Sequence, residues 1–296
     1  MNYSELKAII KREAKNPERS FEESYQKIHK YLQKISQDHL IEITQEIGTI
    51  PEDIAHDSTE EKLYAKTTDI LLCEILKTFG LNVSVNKERG CSADVFGKSL
   101  HDYSFVGDAK AFRLSRTAKN QKDFKVSSIV DWRADKNYAI LVCPYYQYPK
   151  SSSQIYGQAL DGNVCLLSWE HLSFMLKKKI YETKLVNLAP IWNISRNIAA
   201  NTSVLDKNRF FFGETNRIFC QIINSSLESF REHLKITRQN TIERGNYEIN
   251  FWYQRIEQIH EYDRQQAIKE LLKALKLEEK IKTIQKYLKS LEQESE

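Results

Sequence analysis

The sequence predicts an α/β fold: a mixed central β-sheet flanked by helices, with helical additions at the N- and C-terminal ends. Three observations carry this prediction. Two apolar runs, YAILVCPYY (Tyr138–Tyr146) and NVCLLSW (Asn163–Trp169), bracket a helix-forming stretch, SSSQIYGQAL. Strand, helix, strand is the signature of a crossover unit joining parallel strands. Between Leu81 and Ala111, short and partly alternating runs are broken by Arg89-Gly90 and by KSLHD, as strands and turns would be. Toward both ends, apolar residues recur instead at three- and four-residue steps, the helical period.

Taken in order, Phe21, Tyr25, Ile28, Leu32 and Ile35 mark helix in the first fifty residues. Ser58 or Thr59 can cap a long helix, EEKLYAKTTDILLCEILKTF, which Gly80 ends at the usual C-terminal position. LNVSV, ADVF and YSFVGDAKAF then read as strands, the last two forming a hairpin. Helical spacing returns over Thr117–Trp132, ahead of the crossover unit. From Leu172 the chain is mostly helical. Its last segment carries an apolar stripe at Ile268, Leu271, Leu272 and Leu275, continued by Ile281, Ile284, Leu288 and Leu291. Without a repeat or a compositional break, the expectation is one domain over 1–296, with a core at about 47–180 and helical additions at 1–46 and 181–296.

Composition excludes several classes. No stretch approaches the roughly 18 consecutive apolar residues that a membrane helix requires. The N-terminal MNYSELKAIIKREAK lacks a signal-peptide core, so the protein is expected to be cytoplasmic and free of membrane. Five cysteines without a C-x-x-C pair argue against a disulfide framework and a thiolate zinc site. Nine glycines and five prolines are too few for a linker-rich architecture. Between Asp108 and Lys125 stand six basic and two acidic residues, which accounts for the whole formal charge of +4. One short positive patch on an otherwise neutral chain points to a polyanion, nucleic acid first.

Chemistry concentrates next to that patch. Asp108 and Lys110 end an apolar strand, and residues two apart on a strand project to the same face. Asp94, in the preceding strand of the hairpin, can face them. Two carboxylates and a backbone carbonyl suit Mg²⁺, which prefers oxygen ligands. Such an ion polarises a scissile phosphate and lowers the pKa of bound water, while a lysine orients that water or neutralises charge. Acid-x-Lys triplets recur elsewhere, as at Glu5–Lys7 and Asp123–Lys125, where they read as solvated charge. The apolar strand, Asp94 and the adjoining basic segment set Asp108-Ala109-Lys110 apart. Glu61 is a candidate third acid, although a helix-dipole role suits its place in the first turn.

Arg113, Arg116, Lys119, Lys122 and Lys125 recur every third position. On one α-helix they form a stripe winding around one side, able to meet phosphates. Asn120, Gln121 and Asp123, between them, have the chemistry to read base edges. The competing interpretation is a solvated face; the scarcity of i+4 counter-charges weighs against it. The seven histidines show no ligand spacing. Ser168 and His171 are too close in sequence for a triad; Ser168 is expected to cap a helix and Trp169 to pack. No Walker A loop or G-x-G-x-x-G is present.

FRLSRTAKNQKDFKV (Phe112–Val126), directly after GDAKA, closely resembles the corresponding segment of the HindIII restriction endonuclease family. STEEKLYAK from Ser58, ERG and ADV within Glu88–Val95, YAILVCPYYQYPKSSSQIYGQAL from Tyr138, and SWEHL from Ser168 agree with the same family. The resemblance is strong from about Ile47 to Leu172. It implies a restriction-endonuclease-like core of the PD-(D/E)xK type, a homodimer, Mg²⁺ dependence and cleavage of both strands of a palindromic DNA duplex. A cognate DNA methyltransferase is also implied. Position by position, Asp94 and Asp108 match the motif acids and Lys110 its lysine, with Ala93 in place of the motif proline. The implied target is AAGCTT, cut between the adenines to leave four-nucleotide 5′ overhangs. Two other readings stay open: a non-catalytic DNA-binding protein, which would not need the acids, and a structure-specific repair or recombination nuclease, which would not need a defined sequence.

Overall fold

The computed structural model describes residues 1–86, 92–116, 121–150, 153–201 and 206–293, the side chains of 287 and 289–293 excepted. Two compact units result, Met1–Gly245 and Asn246–Glu296.

In the first unit, helices α1 (Tyr3–Ala14), α2 (Phe21–Leu32) and α3 (Gln37–Glu46) precede the long α4 (Thr59–Thr78). Asn2 and Ser20 close capping boxes with Glu5 and Glu23, and Ser36 and Ser58 cap the next two helices. Of the N-terminal stripe, Ile28 and Leu32 are buried, while Phe21, Tyr25 and Ile35 pack partly buried against the same core. α2 lies on α4, so this stripe serves its own chain. Gly80 follows α4 with φ +87°, and a Cβ there would come within 2.6 Å of the Glu182 carbonyl. Both its conformation and its surroundings demand glycine.

The sheet runs β1 (Asn82–Val85), β2 (Val95–Lys98), β3 (Ser104–Ala109), β4 (Tyr138–Cys143) and β5 (Val164–Ser168), paired in chain order. β1, β2 and β3 are antiparallel neighbours; β3, β4 and β5 are parallel. This is the expected mixed sheet, with its hairpin and its crossover. α4 packs on β1 to β3, and α6 (Val126–Arg133) on β3 to β5. β4 and β5 are buried at nearly every position, as parallel strands covered by helices must be.

The helix expected over Thr117–Trp132 is present in its described part but broken in two, α5 (Gln121–Phe124) and α6. The break falls at Lys125, which adopts a left-handed conformation, φ 52°. Tertiary packing overrides the period. Phe124 is fully buried, stacked on Tyr148 and edge-on to Phe112, which turns the chain where a longer helix would carry it outward. Further on come α7 (Gln154–Gly162), α8 (Trp169–Lys177), α9 (Ala189–Trp192), α10 (Ile194–Ala200) and α11 (Phe211–Ile222). The 34-residue α12 (Leu227–His260) follows, and the first unit ends within it.

The second unit holds the end of α12, α13 (Arg264–Ala274), capped by Asp263, and α14 (Leu277–Gln293). α13 buries no residue. Ile268, Leu271, Ile281, Ile284 and Leu288 are 47–59% exposed, so this unit leaves its apolar stripe in solvent. Leu291 lies outside the described side chains.

Candidate active site

The register that pairs Val95 with Gly107 places Asp94 directly opposite Asp108, one step beyond the end of β2. Cross-strand partners share a face, so the two carboxyls lie side by side and act on each other electrostatically. Lys110 lies two residues past Asp108 on that face, and its ammonium pairs with Asp108 Oδ2. The lysine backbone is held twice: its N–H donates to the Val142 carbonyl at 2.8 Å, and its carbonyl accepts from Trp169 Nε1 at 3.0 Å. Trp169 in turn needs Gly48, where a Cβ would stand 2.7 Å from the indole ring. The structure therefore brings together the three residues expected to form one site.

Asp108 is 1% exposed, and burial, reinforced by Asp94, raises its pKa to about 7 despite the pull of Lys110. Burial opposes ionisation of Asp94 too, but its neighbour Asp108 and the charge on Lys66 outweigh it and bring its pKa below the usual value. For Lys110 the burial penalty is exceeded by Asp108, and its pKa rises. Two carboxyls this close in a buried site resist double ionisation unless a cation compensates. Asp108 Oδ2 is buried and, though ion-paired, has no directed hydrogen bond. A hard, oxygen-seeking divalent cation fits this donor set.

The sequence reading missed Lys66 and Asp69. They lie three apart on α4; Lys66 Nζ donates to Asp69 Oδ2 at 2.9 Å and to Asp94 Oδ1 at 2.8 Å. An aspartate inside the apolar run TTDILLCEIL was the available signal, because a buried charge needs a partner.

Glu61 is engaged differently. Arg113 donates to its Oε1 through Nε at 3.1 Å and Nη2 at 2.8 Å, and the Asp57 N–H donates to Oε2 at 2.7 Å. With His56 and Asp57 it forms the group of ligand-type side chains found within 4.8 Å of one another among the described residues. Its hydrogen bonds tie the start of α4 to the preceding turn. Arg113 is 8% exposed and also donates to the Pro51 carbonyl at 2.9 Å.

The basic residues do not share one helix. Arg113 and Arg116 precede α5, and Arg116 pairs with Asp123. Lys122 sits on α5, and Lys125 stands beyond it, its ammonium 5.7 Å from the Trp132 ring centre. Lys119 and Asn120 lie outside the described residues. Ser168 and His171 behave as expected: they close a fully buried capping box on α8, with His171 Nε2 3.0 Å from Asn216 Oδ1.

A mixed sheet covered by helices, with its acids and lysine gathered where an antiparallel pair meets a parallel one, is an α/β fold of the restriction-endonuclease-like class. The chain belongs to the HindIII restriction endonuclease family, whose model matches residues 5–288. It is 37% identical over 272 residues to the type II restriction enzyme HindIII of Haemophilus influenzae, covering 92% of this chain and 91% of that one. It is thus a HindIII-like type II restriction endonuclease. Among solved structures, restriction endonuclease FokI matches with a TM-score of 0.36 at 15% identity, over 60% of this chain and 34% of that one. No helix among the described residues is long and apolar enough to cross a membrane.

Proposed function

We propose that this enzyme hydrolyses both strands of the palindromic duplex AAGCTT between the adenines, leaving four-nucleotide 5′ overhangs, with Mg²⁺ held by Asp94 and Asp108. The observation that carries the catalytic part is the opposition of Asp94 and Asp108 with Lys110 on the same buried face. When bound there, the ion polarises the scissile phosphate and acidifies water. The chain's own groups do the rest. Asp94 and Asp108 would hold the ion through their carboxylate oxygens, Asp108 in its ionised form with its proton given up to solvent. Lys110, its backbone fixed by Val142 and Trp169, presents an ammonium to orient the attacking water and to offset charge building on the phosphate. The assignment of the target rests on the close agreement with the HindIII family in the 112–126 segment. Arg116, Lys119 and Lys125 serve as phosphate contacts, and Asn120, Lys122 and Asp123 as base readers; Arg113 supports them by bracing the loop.

A palindrome cut on both strands calls for two sites related by the two-fold axis of the DNA. Among the described residues one chain carries one such set of acids, so the working form is a homodimer. The exposed apolar residues of α13 and α14 support this. A cytoplasmic setting and a partner methyltransferase that protects the host's own sites complete the reading.

The test is a plasmid digest with and without Mg²⁺. Discrete bands that map to AAGCTT and require the metal are expected. A smear, or bands at other sequences, would overturn the target.

A further inference from the structure

The ammonium of Lys66 occupies a position that neither the strand motif nor the basic segment calls for. It bridges a buried carboxylate, Asp69, at 5% side-chain exposure, and Asp94, at 24%, with contacts of 2.9 and 2.8 Å. The order along this face is Asp69, Lys66, Asp94, Asp108, Lys110: three acids separated by ammonium groups except between Asp94 and Asp108. At that one junction two carboxyls meet without a cation between them. Lys66 takes Oδ1 of Asp94, which leaves the rest of that carboxyl to Asp108. Asp69 is anchored in an apolar stretch of α4 with Leu71, Leu72 and Cys73, all fully buried, so the lysine is held from a rigid base.

Resting on the reading of Asp94 and Asp108 as metal-holding acids, we propose that Lys66 is a positioning residue of that site. Anchored by Asp69, it clamps Asp94 across from Asp108, and its charge sets the affinity of the site for a divalent cation. The two effects act in opposite directions. The clamp keeps the acids in register and so favours catalysis. The ammonium, 2.8 Å from Asp94 Oδ1, would repel a cation held by that carboxylate and weaken its binding. A purely structural lysine would not produce this opposition: its loss would lower activity and metal affinity together, or neither.

The experiment uses the full-length, DNA-free protein and Mn²⁺ as a paramagnetic probe of the metal site, titrated by electron paramagnetic resonance. Cleavage is measured separately at saturating Mg²⁺. Lys66→Met should bind Mn²⁺ on the order of tenfold more tightly and cleave at least about tenfold more slowly. Lys66→Arg, which keeps the charge and can span both acids, should remain within about threefold of the parent in both. Circular dichroism establishes that each variant is folded; should Lys66→Met fail that check, Lys66→Gln takes its place. Unchanged or weaker Mn²⁺ binding by the folded neutral variant, or cleavage at the parent rate, would overturn the proposal. If Asp108→Asn leaves Mn²⁺ binding of the parent unaltered, the underlying assignment of the metal-holding acids fails instead.

Discussion

Asp94 and Asp108 stand opposite each other at the end of the β2–β3 pair, although thirteen residues and a turn separate them in the chain. Their juxtaposition is a consequence of register. A slip of one residue would send one carboxyl to the other face of the sheet and dismantle the site.

Asp108→Asn should abolish cleavage while leaving duplex binding largely intact, since the basic segment is untouched. Lys110→Ala should do the same. Gel-shift and cleavage assays on one duplex separate the two activities, and substantial Mg²⁺-dependent cleavage by Asp108→Asn would sink the assignment.

Arg113 and Lys125 should respond differently to neutralisation. Arg113→Ala removes the guanidinium that bonds Glu61 Oε1 and the Pro51 carbonyl, so a loss of about 2–3 kcal/mol in urea unfolding is expected. Lys125→Gln should leave stability within about 0.5 kcal/mol. Its effect belongs on DNA, where binding to all sequences weakens and the salt dependence flattens by about one unit of slope. Equal stability of both variants would show that Arg113 is not a brace.

The second unit should mediate association. Sedimentation near micromolar concentration is expected to give twice the chain mass of 34.7 kDa. Replacing Ile284 and Leu288 by glutamate should return the protein to one chain mass and, with it, abolish double-strand cutting. A parent protein that sediments as one chain with and without cognate DNA would leave the two-site scheme unsupported.

His171 should contribute to acid lability. Burial lowers its pKa to about 3, so the folded protein keeps it neutral while the unfolded chain protonates it below its ordinary value of 6.5. Its contribution to stability is therefore complete above about pH 6.5 and is lost progressively as pH falls toward 3. In urea melts, the advantage of the parent over His171→Asn should shrink by a few kcal/mol between pH 7 and pH 4. A difference that does not change with pH would show that the ring is free to protonate in the folded state. Glu170 next to it works in the opposite sense: burial raises its pKa to about 7, so its ionisation costs stability as pH rises.

Much of this architecture was legible in the residues themselves. Ser58 and Gly80 delimit α4 because a side-chain oxygen and a left-handed glycine satisfy the ends of a helix from within the local chain. The apolar runs of β4 and β5 need only their own composition to read as buried strands, and the segment after GDAKA sufficed to reveal the family. Asp94, Asp108 and Lys110 were legible too, because strand alternation is a local rule and the hairpin is short. What the sequence by itself could not settle depended on contacts between distant segments. The period through residues 113–125 reads as one helix, yet the burial of Phe124 between Phe112 and Tyr148 breaks it, and Arg113 turns inward to a glutamate 52 positions away. Lys66 joins the site only because α4 lies across β1 to β3 and delivers an ammonium to Asp94 over a separation of 28 residues. Helical period and strand alternation are set within a few residues of one another, whereas the pairing of charges is set by packing, which no local pattern records.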